Sequence, residues 1–251
     1  MELGGILKHI NPLRKRYTRP LYAIKTEKTM RNIFVILILF ILIFGCKSDS
    51  ISESEKKEII AELNDIKKID QQYAGIPPKE LTEKYGYDIA WELFEIKRDS
   101  IGLINQRKIK KLYKKYGYLG YKEIGEKASQ DFWISIQHAD NDIEFQQVML
   151  KELKEEISKN NASKIEYAML EDRVNVNLNK RQRFGTQVTY SKFGQAIPKN
   201  GLIDSINIEQ LRKEYDLPTF RNYYNRMTTN HFKMNKENML ERGITEPKLY
   251  E

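Results

Sequence analysis

The chain of 251 residues contains one cysteine, Cys46, so it can form no internal disulfide and no cysteine-based zinc cluster. Histidine is nearly as scarce, with His9, His138 and His231 only, which leaves His138 with carboxylates as the sole basis for a metal site and none is expected. No G-x-S-x-G nucleophile motif and no internal repeat is present. No apolar run is long enough to span a bilayer. The longest, Ile33 to Phe44, has twelve residues, whereas a transmembrane helix needs roughly 17 to 25 and a signal-peptide core about 7 to 15.

That run ends in Ile43-Phe44-Gly45-Cys46, which resembles the bacterial lipobox, where a small residue precedes a cysteine that is lipidated and becomes the mature N-terminus. Residues 30–45 are therefore expected to be a lipoprotein signal peptide with lipidation at Cys46; an uncleaved N-terminal anchor is the alternative. Both place the rest of the chain in the cell envelope, on the periplasmic side or cell surface, because Arg31 and the upstream basic residues favour a cytoplasmic N-terminus. Residues 1–29 read as a leader or an over-extended start, with translation expected from Met30.

The formal charge of +8 points at first to nucleic acid. Residues 1–45, however, hold eight of the 43 basic residues and two of the 35 acids, so the remainder carries only about +2. No nucleic-acid partner is expected. The expected partners are a membrane, through Cys46, and a small ligand or envelope component, and no cofactor is implied.

Residues 46–58 are Ser-, Lys- and Glu-rich and read as a tether, with Ser52 and Glu55 at capping-box spacing before a helix whose stripe is Ile59, Leu63, Ile66 and Asp70. Ile76-Pro77-Pro78 breaks the chain. A long helix is predicted from about Tyr87 to Tyr116, with Ile89, Leu93, Ile96, Leu103 and Leu112 as its apolar spacing, and further helices over Ile124–Gln137, Ile143–Ser158 and Lys164–Val176. Gly- and β-branched-rich sequence then predicts a small β-hairpin near 182–203. A last helix capped by Asn207 and Gln210 runs to Tyr215, followed by an aromatic tail including Phe220, Tyr223 and Tyr224. The expectation is a mainly α fold: one domain of five or six helices over 59–226, with a C-terminal tail at 227–251.

Three clusters carry residue types that chemistry needs. Gln137-His138-Ala139-Asp140 ends the third predicted helix, and a histidine beside a carboxylate can move protons near neutral pH; it can equally be a C-terminal histidine bonding free carbonyls. Glu171-Asp172-Arg173 offers a guanidinium that can clamp an anion or tie helices together. In Gln182-Arg183-Phe184-Gly185-Thr186-Gln187 the glycine permits a positive φ, and the amides and hydroxyl offer neutral hydrogen bonds suited to a sugar or peptide.

The runs IGEKASQDFWISIQHAD, YAMLEDRV and KRQRFGTQV, followed by Pro198 to Arg212, resemble a bacterial family known as domain of unknown function 6624. The likeness covers about Leu63 to Tyr224, with Tyr118-Leu119 in place of a usual Trp-Pro. Its characteristic pieces stand here as Asp70-Gln71, Asp99, Gln137-His138-Ala139-Asp140, Asp172-Arg173, Gln182, Gly185-Thr186-Gln187 and Arg212. The resemblance implies one domain with a shared pocket. In an enzymatic reading, the chemistry of these residue types gives an expected catalytic set of His138 moving a proton, Asp140 or Asp172 orienting it, and Arg173 stabilising negative charge. Gln137, Gln182, Thr186, Gln187, Asp70 and Gln71 are the expected ligand-binding set, for hydrolysis or binding of an envelope glycan or peptide. The alternative is a non-catalytic binding module whose polar residues form a structural network.

Overall fold

A computed structural model describes residues 51–73 and 75–251. The leader, the signal segment and Cys46 lie outside the described residues. Residues 51–251 form one compact unit. Its elements are α1 (Glu53–Gln72), α2 (Lys79–Tyr85), α3 (Tyr87–Tyr116), α4 (Tyr121–Ile124), α5 (Glu126–Gln137), α6 (Ile143–Ser158), α7 (Lys164–Asn177), β1 (Val188–Tyr190), β2 (Ala196–Pro198), α8 (Ile208–Glu214), α9 (Phe220–Met234) and α10 (Lys236–Glu241). The fold is mainly α with one two-stranded antiparallel sheet, Val188 facing Pro198 and Tyr190 facing Ala196. Ten helices among the described residues exceed the expected five or six, because short helices follow Pro78 and Gly120 and the expected aromatic tail is helical.

Ser52 accepts the Glu55 amide while Glu55 reaches back to the Ser52 amide, so α1 starts at Glu53, inside the stretch read as tether. Its stripe of Ile59, Leu63 and Ile66 is buried against α5, where Phe132, Trp133 and Ile136 face it, and Lys67 pairs with the buried Asp131 across the same contact. Antiparallel to α1 runs α3: Glu55 meets Lys115 and Tyr116, while Asn105 donates to the Ile66 carbonyl. Met149 and Leu153 of α6 and Ala168 and Leu170 of α7 close the core.

Only part of α3 follows its predicted face. Leu112 is buried, but Ile89, Leu93, Ile96 and Leu103 point outward, and the buried side is Ala90, Phe94, Asn105, Gln106 and Ile109. Asn105 serves the α1 backbone from inside, so a polar residue outside the expected stripe takes a core position. Asn207 also departs from expectation: its side chain donates to Asp204 at 2.7 Å instead of capping α8.

Gly120 sits where two backbones meet. A Cβ there would lie 2.3 Å from Asn161 Nδ2 and 2.6 Å from the Asn161 carbonyl. Asn161 cannot retreat, since its carbonyl accepts from Tyr121 and its side chain bonds Lys122, Glu123 and Glu156. Gly120→Ala is expected to cost about 2 kcal/mol, as overpacking does. An unchanged thermal melting curve would show that the turn yields freely.

Candidate functional site

The candidate residues separate into two groups, one open to solvent and one sealed. The open group forms where α1 and α5 end. Asp70 occupies the last turn of α1 and His138 caps α5, and the His138 Nδ1 lies 3.0 and 3.1 Å from the two carboxylate oxygens of Asp70. Burial pushes the Asp70 carboxyl up, but its hydrogen bond and charge attraction with His138 outweigh that and hold it below its ordinary value. An ionised carboxylate can only accept, so Nδ1 carries the hydrogen, which in the neutral ring leaves the lone pair on Nε2. Nε2 has no hydrogen-bond partner among the described residues, and the histidine side chain is 39% exposed against 17% for Asp70. Gln71 donates to the same carboxylate at 3.1 Å. The structure therefore gives His138 a carboxylate partner in Asp70, not in Asp140 or Asp172, and the ring does not bond the helix-end carbonyls.

Asp140 belongs to Arg173. Nε and Nη2 of the guanidinium meet its two oxygens at 2.7 and 2.5 Å, Asn177 donates at 2.8 Å, and the buried Gln146 donates at 3.4 Å while also serving the Ile136 and Gln137 carbonyls. Burial raises the Asp140 carboxyl, and Arg173 with Asn177 more than reverses it. This forked pair joins α7 to the turn after α5. Asn177 and Gln146 were not expected; Gln146, a polar residue beside Phe145, Met149 and Leu153 on the buried side of α6, was the available signal.

The sealed group fixes the 182–187 loop. Asp172, fully buried on α7, accepts the amides of Arg183 (2.7 Å), Phe184 (3.0 Å) and Thr186 (2.8 Å) and the Thr186 hydroxyl (3.0 Å). Burial raises its carboxyl above the ordinary value, and these donors only partly hold it back. Gln182, also fully buried, accepts the Gln187 amide and donates to the Gln187 and Lys199 carbonyls. Gly185 has φ +66°, as the sequence allowed, and its carbonyl accepts from Arg212 and Tyr224. Arg212 holds the Phe184 and Pro218 carbonyls as well, and the Tyr223 hydroxyl donates to the Thr186 carbonyl. Asp172 and Gln182 thus point into the protein and serve its backbone. A carboxylate with three amides and a hydroxyl around it is neither free to move a proton nor open to a ligand.

Gln137 and Gln187 bridge the two groups. Both amide nitrogens donate to the Met169 carbonyl, at 3.5 and 3.3 Å, and Gln187 also contacts the Thr186 hydroxyl. Gln137 Oε1, in a residue only 5% exposed, finds no partner among the described residues. Two surface hollows, of about 750 and 290 Å³, are lined by Glu209, Lys213 and Leu217 and by Pro77, Tyr87 and Trp91, away from these residues. Among the described residues no three His, Cys, Asp or Glu side chains group as metal ligands. Asp99 stands apart on α3, beside Arg98.

The chain belongs to a family of unknown function, DUF6624, whose model matches residues 61–235. That span runs from α1 through α9 and includes every residue of both groups. No curated protein and no solved structure matches the chain.

Proposed function

We propose that the chain is an exported envelope protein, lipid-anchored through Cys46, that binds an envelope glycan or peptide at the His138–Asp70 pair and hydrolyses it by proton transfer. The contact of Nδ1 with both Asp70 oxygens carries the reading, because it leaves Nε2 as a base facing solvent. In this reading Nε2 takes a proton from a water that attacks the acyl or glycosidic carbon, Asp70 stabilises the imidazolium so formed, and the imidazolium returns the proton to the leaving group. Gln137, with its unpaired Oε1, and Gln187 form a neutral wall beside it. The surroundings of Asp172 and Gln182 favour the second reading, a structural network, for the sealed group alone.

His138→Ala is expected to lower the melting temperature by no more than about 4 °C, since a single part-exposed side-chain hydrogen bond contributes about 1 kcal/mol. The variant is expected to lose both turnover of muropeptide or glycan fragments and the melting shift they cause. Marked destabilisation, with no fragment producing a shift in the parent protein, would place this pair in the network instead. No helix among the described residues is long and apolar enough to cross a membrane. Lipidation is tested separately by labelling the full chain with a fatty acid, the label being lost in Cys46→Ser.

A further inference from the structure

The outward stripe of α3 changes character along its length. Successive positions one turn apart are Ile89, Leu93, Ile96, Ser100 and Leu103, then Arg107, Lys111 and Lys114. All of them are exposed; Ile89 is 52%, Ile96 60% and Leu103 48% accessible, and Ile104 lies beside them. The acids Asp88, Glu92, Glu95 and Asp99 fall to one flank at 100° per residue, so none occupies the stripe. A helix buried on its other side thus presents isoleucine and leucine over one half and only cations over the other. Isolated exposed aliphatics are ordinary, but a continuous row ending in a basic row is what the surface of an anionic bilayer complements.

The chain's connection agrees with this. Glu55, in the first turn of α1, contacts Lys115, so the described unit begins beside the basic half of the stripe. Cys46 lies six residues before Ser52, at most about 20 Å of extended chain. From this we infer that the outward face of α3 lies on an anionic membrane, the leucines and isoleucines entering the headgroup boundary and Arg107, Lys111 and Lys114 meeting lipid phosphates. The orientation rests on the anchored reading, whereas the affinity of the face does not.

Residues 51–251, which contain the whole core cluster and lack Cys46, are the material for the test, in sedimentation with phosphatidylglycerol-containing and with purely phosphatidylcholine vesicles. Binding to the anionic vesicles is expected to exceed binding to the neutral ones by about tenfold or more and to fall with salt. Joint substitution Ile89→Ser, Leu93→Ser and Ile96→Ser is expected to reduce binding to the anionic vesicles about tenfold; joint Arg107→Gln, Lys111→Gln and Lys114→Gln is expected to remove the preference for them. Melting curves like the parent's would exclude misfolding, as all six side chains are exposed. Absence of vesicle binding, or binding that neither triple variant changes, would overturn the inference, as would a dimer in solution that the serine variant dissociates without any vesicle binding. Loss of fatty-acid label in the full chain's Cys46→Ser bears on the anchor alone, so the two failures are distinguishable.

Discussion

Asp172→Ala is expected to destabilise the folded chain by about 4 kcal/mol, whereas Arg173→Ala, one residue along, is expected to cost about 1 kcal/mol or less. The contrast follows from what each side chain holds. Removing Asp172 leaves the buried Phe184 and Thr186 amides, the part-buried Arg183 amide and the Thr186 hydroxyl without their acceptor. Each orphaned group costs about 1 to 3 kcal/mol, and relaxation of the loop recovers part of the total. The Arg173–Asp140 pair is forked but its side chains are 27% and 44% exposed, so water replaces much of what is lost. Chemical denaturation measures both. Hydrogen exchange adds a local readout: the Phe184 and Thr186 amides should lose protection in Asp172→Ala while the α1 and α5 amides keep theirs. A stable Asp172→Ala with a protected loop would mean that Arg212, Tyr223 and Tyr224 suffice to hold it. The same result would return Asp172 to the candidates for chemistry.

The division between Asp172 and His138 also shows where sequence reading reached its limit. Helices with aliphatic stripes and clear punctuation were legible: α3 and α6 have the predicted ends, and the Ser52–Glu55 box forms. On α3 the periodicity was real but named the wrong face, because a helix with two apolar sides gives no sign of which one meets the core. α9 was missed for a different reason. Its inner face consists of Phe220, Tyr224 and Thr228, aromatic and hydroxyl residues that bond the hairpin, with Thr228 accepting the Ala196 amide and Tyr224 donating to the Gly185 carbonyl. Tyr250 donates to the Ala196 carbonyl, so the segment beyond 227 packs on the body as well. In the site, the residue types were legible and their pairing was not. Asp70 and His138 are 68 positions apart, and only the packing of α1 on α5 brings their ends together. Adjacent residues on one helix face different ways, which is why Asp172 and Arg173 have unrelated partners.

Glu166→Gln is expected to stabilise the chain at pH 8 by about 3 kcal/mol and to have little effect near pH 4.5. Glu166 is 5% exposed in the first turn of α7, its Oε2 has no partner among the described residues, and burial, aided by repulsion from Glu126, raises its carboxyl from 4.5 to about 7. Below pH 4.5 the carboxyl is protonated in both the folded and unfolded chain, and the full stability is present. Between 4.5 and about 7 the unfolded chain releases the proton while the folded chain keeps it, so stability falls as pH rises, by about 1.4 kcal/mol per unit. Above 7 both forms are ionised and the loss is complete. The positive end of α7 offsets up to about 1 kcal/mol of it. Other groups run the opposite way: Asp70, Asp140 and Asp142 have lowered carboxyls, whose stabilisation is lost only as pH falls below the usual carboxylate range. His231 is also lowered, so its part grows as pH rises toward 6.5. Subtracting the parent's denaturation free energy from the variant's at each pH removes these common contributions. The amide keeps the shape of the protonated acid, so any packing cost it carries is the same at every pH and cancels in the slope. A difference that does not change between pH 5 and pH 8 would mean that Glu166 is ionised in the folded chain throughout that range, with a counter-charge or water at Oε2.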